Sequence, residues 1–176
     1  LLRDMNFQVT FIPEDNFLYM PDYTTGLQRT GIEVLYAPFT TCVRDHLLEY
    51  GARYDVVSVY RPVVFEKYIG DIQELARNAK IIYHTVDLHF LRMRREAELL
   101  GDNEIMNAAE EMREKELKAL SIADVSIIHS EAELELLRPL LPDSDLTVLP
   151  LILNIRPGHI EIKGRRDICY IGGYQH

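Results

Sequence analysis

The chain has 176 residues, with 28 Asp plus Glu against 19 Lys plus Arg and a formal net charge of −9. At 47% apolar and 27% charged, with 9 Gly and 8 Pro, it has the composition of a globular domain, which excludes collagen-like, mucin-like and disordered chains. The acidic balance argues against a duplex-binding module, which needs a basic face for phosphate contacts.

Taken in chain order, Leu1 to Asn6 reads as the tail of a helix. Gln8 to Ile12 is a β-branched run closed by Pro13, and Ile32 to Tyr36 is a second strand closed by Pro38. A helix is expected over Thr41 to Tyr50, with Gly51 as its C-terminal stop. Asp55 to Tyr60 is the third strand. Pro62 ends it, and a helix follows from Val63 to Lys80. Ile81 to Val86 is the fourth strand.

A long charged helical region then runs from Phe90 to Ala123, broken in two at Gly101-Asp102-Asn103. Its second part carries Ile105, Ala109, Met112, Leu120 and Ala123 at one-face spacing. Asp124 to Ile128 is the fifth strand. Ser130-Glu131-Ala132-Glu133 opens a helix with a capping box, and that helix ends at Pro142. Leu146 to Leu149 is the sixth strand, closed by Pro150.

Strands separated by helices of this length imply parallel pairing with right-handed crossovers. Near-continuous apolar strands such as DVVSVY fit a sheet covered on both faces. The expected fold class is therefore α/β, with a Rossmann-like, doubly wound parallel sheet over residues 1–155. Residues 156–164, with Pro157, Gly158 and Gly164, read as a linker. Residues 165–176 contain a new strand running into Gly172-Gly173, as at the start of a second domain. Both ends read as cut, with the first strand missing at the start. No run of about 18 apolar residues encodes a membrane span, and the N-terminus lacks a signal-peptide layout. Cys42 and Cys169 have no CxxC partner and read as free thiols of a cytoplasmic protein.

In an open parallel sheet, ligands bind at the carboxyl ends of the strands. Arg61, the segment from His84 to Arg92, and His129-Ser130 lie at such ends. His84, Asp87, His89 and Arg92 form the densest polar cluster in the chain. Imidazole and carboxylate there can hydrogen-bond hydroxyls or move a proton near neutral pH. Capping of the following helix explains Asp87 equally well. For His84 the expectation is a satisfied core or edge histidine, and for Ser130 a helix cap. Gly172-Gly173 at a strand end would let backbone N–H groups approach a phosphate.

The string Tyr83-His84-Thr85-Val86-Asp87-Leu88-His89-Phe90-Leu91-Arg92, followed by Arg95, resembles a segment of family-4-type (group 1) glycosyltransferases of GT-B fold. So do Ala123-Asp124-Val125 leading into His129-Ser130-Glu131-Ala132-Glu133, then Val148 to Ile152, then Arg165 to Ile168 with Ile171 to His176. The resemblance implies a two-domain enzyme whose N-terminal half holds the acceptor and whose C-terminal half holds a nucleotide-sugar donor. Transfer would retain configuration and use neither metal nor cofactor.

By the same resemblance Asp87 and His89 are catalytic residues near the transferred sugar, and Arg61 and Arg92 bind substrate. Gly172, Gly173 and His176 form a loop near the donor phosphates. The acceptor would be a polysaccharide, a glycolipid or other lipid-linked sugar, or a small molecule. The donor half, with its Glu-x7-Glu motif, is not in this chain. Glu66/Glu74 and Glu96/Glu104 have that spacing on acceptor-half helices by chance. The fragment alone is thus expected to be inactive. Nucleic acid is not an expected partner, and peripheral membrane contact has no sequence support beyond the lipid-linked acceptors of such enzymes. Two alternatives stand beside this reading: a GT-B-fold sugar-nucleotide epimerase and a freestanding flavodoxin-like interaction module.

Overall fold

The computed structural model describes residues 1–150, 152, 162–164 and 166. The expected strand at Asp167 to Gly173, Cys169, and the loop residues Gly172, Gly173 and His176 lie outside the described residues.

The fold is α/β with parallel sheets. β1 (Thr10–Phe11) and β2 (Glu33–Val34) form a short parallel pair, in register at Thr10 and Glu33. The Thr10 hydroxyl also donates to Glu33 Oε2 at 2.7 Å. The crossover between them is α1 (Pro21–Arg29), which the sequence reading did not anticipate. Pro21 opens it, where a missing N–H costs nothing, and Thr24 Oγ1 accepts the Met20 N–H at 3.0 Å. α2 (Val43–Tyr50) follows.

The main sheet holds four parallel strands in the order β3 (Val56–Tyr60), β4 (Lys80–His84), β5 (Val125–Ile128) and β6 (Leu146–Val148). The crossovers are α3 (Pro62–Leu75), the pair α4 (His89–Leu100) and α5 (Asn103–Ile122), and α6 (Glu131–Leu137). Gly101 sits in the left-handed region at φ 66° and ends α4. Asp102 Oδ1 then accepts the N–H groups of Glu104 and Ile105 and starts α5.

One row of the register runs Val59, Tyr83, Ser126, Leu146, and the next runs Tyr60, His84, Ile127, Thr147. Val59, Tyr83 and Ser126 are buried. Tyr60 and Thr147 are exposed, and His84 and Ile127 half-buried. The sheet was expected to be covered on both faces, and the two are covered unequally. One face carries the core, and the other is graded from half-buried to open. Phe65 of α3 meets Tyr83 edge-on at 5.1 Å, and Leu120, Ile128, Leu134 and Leu137 complete the same core. Such burial contributes roughly 25 cal/mol per Å² of apolar surface.

The β1–β2 unit is tied to the rest through α2 and α3. Lys67 pairs with Glu14 at 2.6 Å, and the Tyr68 hydroxyl donates to the Glu14 carbonyl at 3.0 Å. Arg44 of α2 bridges Asp71 and Glu74 of α3.

Gly51 is not the left-handed stop the sequence suggests. Its φ is −55°, and the chain continues as a 3-10 turn over Gly51–Arg53. Its requirement is space, because an added Cβ would stand 2.5 Å from the Leu75 carbonyl oxygen. Gly51→Ala is expected to destabilise the chain by about 1–3 kcal/mol. A denaturation midpoint equal to wild type would show that the backbone there yields freely.

Candidate functional site

Because the main-sheet strands are parallel, β3, β4 and β5 deliver their carboxyl ends to one edge. Two strained links stand there side by side. Arg61, directly after β3, has φ 72° and ψ 143°. Its N–H donates to the His84 carbonyl at 3.2 Å, and its own carbonyl accepts the Phe65 N–H at 3.0 Å. Val86, just past β4, has φ 66°, a left-handed value that a β-branched residue rarely adopts. Buried Thr85 fixes the chain before it by donating both its N–H and its hydroxyl to the Ile127 carbonyl, at 3.3 and 3.2 Å. Buried Leu88 fixes the chain after it. Each such link costs about 1–3 kcal/mol and persists only where its surroundings over-determine it.

The Asp87 carboxylate does not cap α4. The residue flanking the helix is Leu88, and no side chain of the local segment caps it. Glu116, from the middle of α5, takes that place. Its Oε1 accepts the His89 N–H at 3.0 Å and its Oε2 the Phe90 N–H at 2.9 Å. Glu116 has no solvent exposure, and burial pushes its carboxyl above the ordinary range, against the pull of the Phe90 and His89 N–H groups. Tyr83 lies close by. Burial first, then the Glu116 and Asp87 charges, hold its hydroxyl well above the ordinary phenol range. That hydroxyl finds no hydrogen-bond partner among the described residues.

Relieved of capping, Asp87 faces outward. Arg92 Nε donates to its Oδ2 at 3.1 Å, and its Oδ1 lies 3.6 Å from His89 Nδ1. His89 Nδ1 also lies 3.2 Å from Glu116 Oε1 and 3.1 Å from the Asp87 backbone carbonyl. Asp87, His89 and Arg92 thus form one connected cluster, as their sequence spacing suggests. Arg61 stands at the neighbouring strand end and makes no side-chain hydrogen bond among the described residues. Beside the cluster, α4 and α6 leave an open cavity of about 570 Å³, lined by Asp87, Leu88, Leu91, Arg92 and Arg95, with Glu133 of α6 opposite.

Three further expectations resolve locally. Ser130 is a helix cap: its Oγ accepts the Glu133 N–H at 3.2 Å and its hydroxyl donates to Glu133 Oε2 at 3.0 Å. His84 is neither core nor free edge. It stacks on Tyr60, with ring centroids 4.3 Å apart and planes 13° off parallel, on the open face of the sheet. His129, at the end of β5, has Nδ1 3.0 Å from the Leu149 carbonyl, so Nδ1 donates to it.

His84 also sets a pH dependence. Burial first, then neighbouring His129, push its imidazole below the ordinary value, and burial does the same to His46. In the unfolded chain both titrate near about 6.5. Between that pH and their lower folded values the unfolded state binds more protons, so stability rises with pH in this window and is lost as pH falls through it. The urea midpoint is expected to be lower at about pH 5.5 than at about pH 7.5, and His84→Gln to flatten part of that difference. An unaltered pH slope in the variant would contradict a half-buried His84 whose charged form is disfavoured.

Chemically, the cluster offers a carboxylate held by a guanidinium, and an imidazole tied through Nδ1. This is equipment for binding hydroxyl groups and holding a proton near neutral pH. Among the described residues no group of three or more His, Cys, Asp and Glu is arranged to hold a metal ion, and no helix is long and apolar enough to cross a membrane. Sequence reasoning missed Glu116 and the Tyr60 stack on His84. Comparison of the chain with protein-family models, curated proteins and solved structures found no match.

Proposed function

We propose that the chain is the acceptor half of a retaining glycosyltransferase of GT-B type, with a Rossmann-like, doubly wound sheet. The enzyme moves a sugar from a nucleotide-sugar donor to a hydroxyl of a saccharide, glycolipid or small molecule. The bond from the sugar C1 to the diphosphate oxygen breaks. The bond from C1 to the acceptor oxygen forms, and the acceptor proton passes to the departing diphosphate oxygen. The observation that carries this reading is the Asp87–His89–Arg92 cluster, gathered at the carboxyl edge of a parallel sheet behind the strained link at Val86.

Sugar recognition needs acceptors and donors directed at several hydroxyls at once. A carboxylate, an imidazole and a guanidinium within hydrogen-bond range of one another supply them. Asp87 and His89 would hold the transferred sugar, with Arg61 and Arg92 at its margin. The donor phosphates would meet the loop of Gly172, Gly173 and His176 and the basic residues of a following domain. No metal or cofactor enters the proposed reaction, and a cytoplasmic location suits its nucleotide-sugar donors.

The test is the open reading frame that contains the chain. About 150–200 further residues with a Glu-x7-Glu motif are expected after His176. The whole gene product should release nucleoside diphosphate from one of a panel of nucleotide sugars, while the 176-residue chain should not. Robust transfer by the chain alone, or a frame without a donor domain, would overturn the proposal.

A further inference from the structure

The carboxylate that caps α4 also holds the ring of His89, and the consequence is chemical. His89 Nδ1 has three oxygen neighbours: the Asp87 carbonyl at 3.1 Å, Glu116 Oε1 at 3.2 Å and Asp87 Oδ1 at 3.6 Å. A backbone carbonyl only accepts, and so does an ionised carboxylate. Glu116 meets N–H donors on both oxygens, from His89 and from Phe90. The Asp87 carbonyl can pair with Nδ1 only if Nδ1 carries a proton, and in the neutral ring Nε2 is then left with its lone pair.

We propose that Glu116 is a positioning residue that fixes His89 in the Nδ1–H tautomer and so presents Nε2 as a hydrogen-bond acceptor to a hydroxyl of the bound sugar. This rests on the glycosyltransferase reading for the identity of the ligand, and on geometry alone for the tautomer. A carboxylate behind an imidazole orients the ring and stabilises the charged form that arises if Nε2 takes the hydroxyl proton. The helix N-terminus beside it supports the buried negative charge.

The charged and titratable groups around the ring are Asp87 on the preceding loop, Glu116 on α5, Arg92 on α4 acting through Asp87, and Tyr83 of β4 near Glu116. A ring protonated on both nitrogens, or one in the opposite tautomer, would offer an N–H at Nε2 and no acceptor there.

The first experiment is nitrogen-15 NMR of the imidazoles in the wild-type 176-residue chain, with His89→Gln to assign the resonance. A protonated Nδ1 and a bare Nε2 at neutral pH are expected, and the opposite tautomer would overturn the proposal. Glu116→Gln should mix the tautomers, and an unmixed Nδ1–H tautomer in the variant would count against Glu116.

In the whole gene product, Glu116→Gln should lower kcat/KM for sugar transfer under conditions where circular dichroism shows the variant folded. Transfer activity with an Nε2–H tautomer would refute the positioning role and leave the function. An Nδ1–H tautomer in a gene product that transfers no sugar would take the sugar hydroxyl from the proposal and refute the function.

Discussion

Glu116→Ala is expected to destabilise the chain by about 3 kcal/mol, a loss of roughly 6–12 °C in Tm for a chain of this size. The Phe90 N–H is buried and the His89 N–H partly so, and each would lose its acceptor at the first turn of α4. An unpaired buried donor costs about 1–3 kcal/mol. The figure stays below the sum because removing the carboxylate also removes the desolvation cost that burial imposes on it. Glu116→Gln keeps one carbonyl oxygen and should cost about half as much. Glu110, exposed on the same helix, should tolerate alanine within about 0.5 kcal/mol. Urea denaturation of the three variants makes the comparison. If Glu116→Ala matched Glu110→Ala, the α4 cap would not depend on α5.

Phe65→Ala should cost about 3–5 kcal/mol, the range for truncating a large buried aromatic side chain. Phe65 is 2% exposed, and its ring meets the edge of Tyr83 at 5.1 Å, in the middle of the covered sheet face. The cavity left behind would lie between α3 and β4. Both are anchored, since Arg61 bonds the His84 carbonyl of β4 and the Phe65 N–H of α3, and Tyr68 ties α3 to the Glu14 loop, so collapse into the space is restricted. A loss under about 1.5 kcal/mol would mean that α3 moves inward and that this face is packed more loosely than the burial indicates.

Features whose cause is local were legible in the sequence. The break at Gly101-Asp102 needs one left-handed residue and one capping carboxylate, and both were adjacent in the string. Ser130 and Glu133 likewise carry their own explanation. Features decided at a distance were not legible. The cap of α4 comes from a residue 26 or more positions downstream, so the nearest carboxylate, Asp87, took the role by default.

A signal for Glu116 was nevertheless present. It falls midway between Met112 and Leu120, inside the apolar stripe of α5, where a charged residue is anomalous. Helix α1 was missed because Tyr23, Gly26 and Leu27 make a poor apolar stripe, and only Pro21-Asp22 marks its start. Gly51 was read as a conformational glycine. Its reason is the Leu75 carbonyl, which belongs to another helix. The cluster of Asp87, His89 and Arg92 was legible because one strand end and one helix turn bring it together.

The most direct test of the glycosyltransferase reading is kcat/KM for sugar transfer by the whole gene product carrying His89→Ala, beside Arg94→Ala as a control. Arg94 pairs with Glu98 on the exposed face of α4, outside the cluster. A loss of about 100-fold or more for His89→Ala is expected, with Arg94→Ala within about twofold of wild type. Equal activities in the two variants, or no transfer from any nucleotide sugar by the wild-type product, would contradict it.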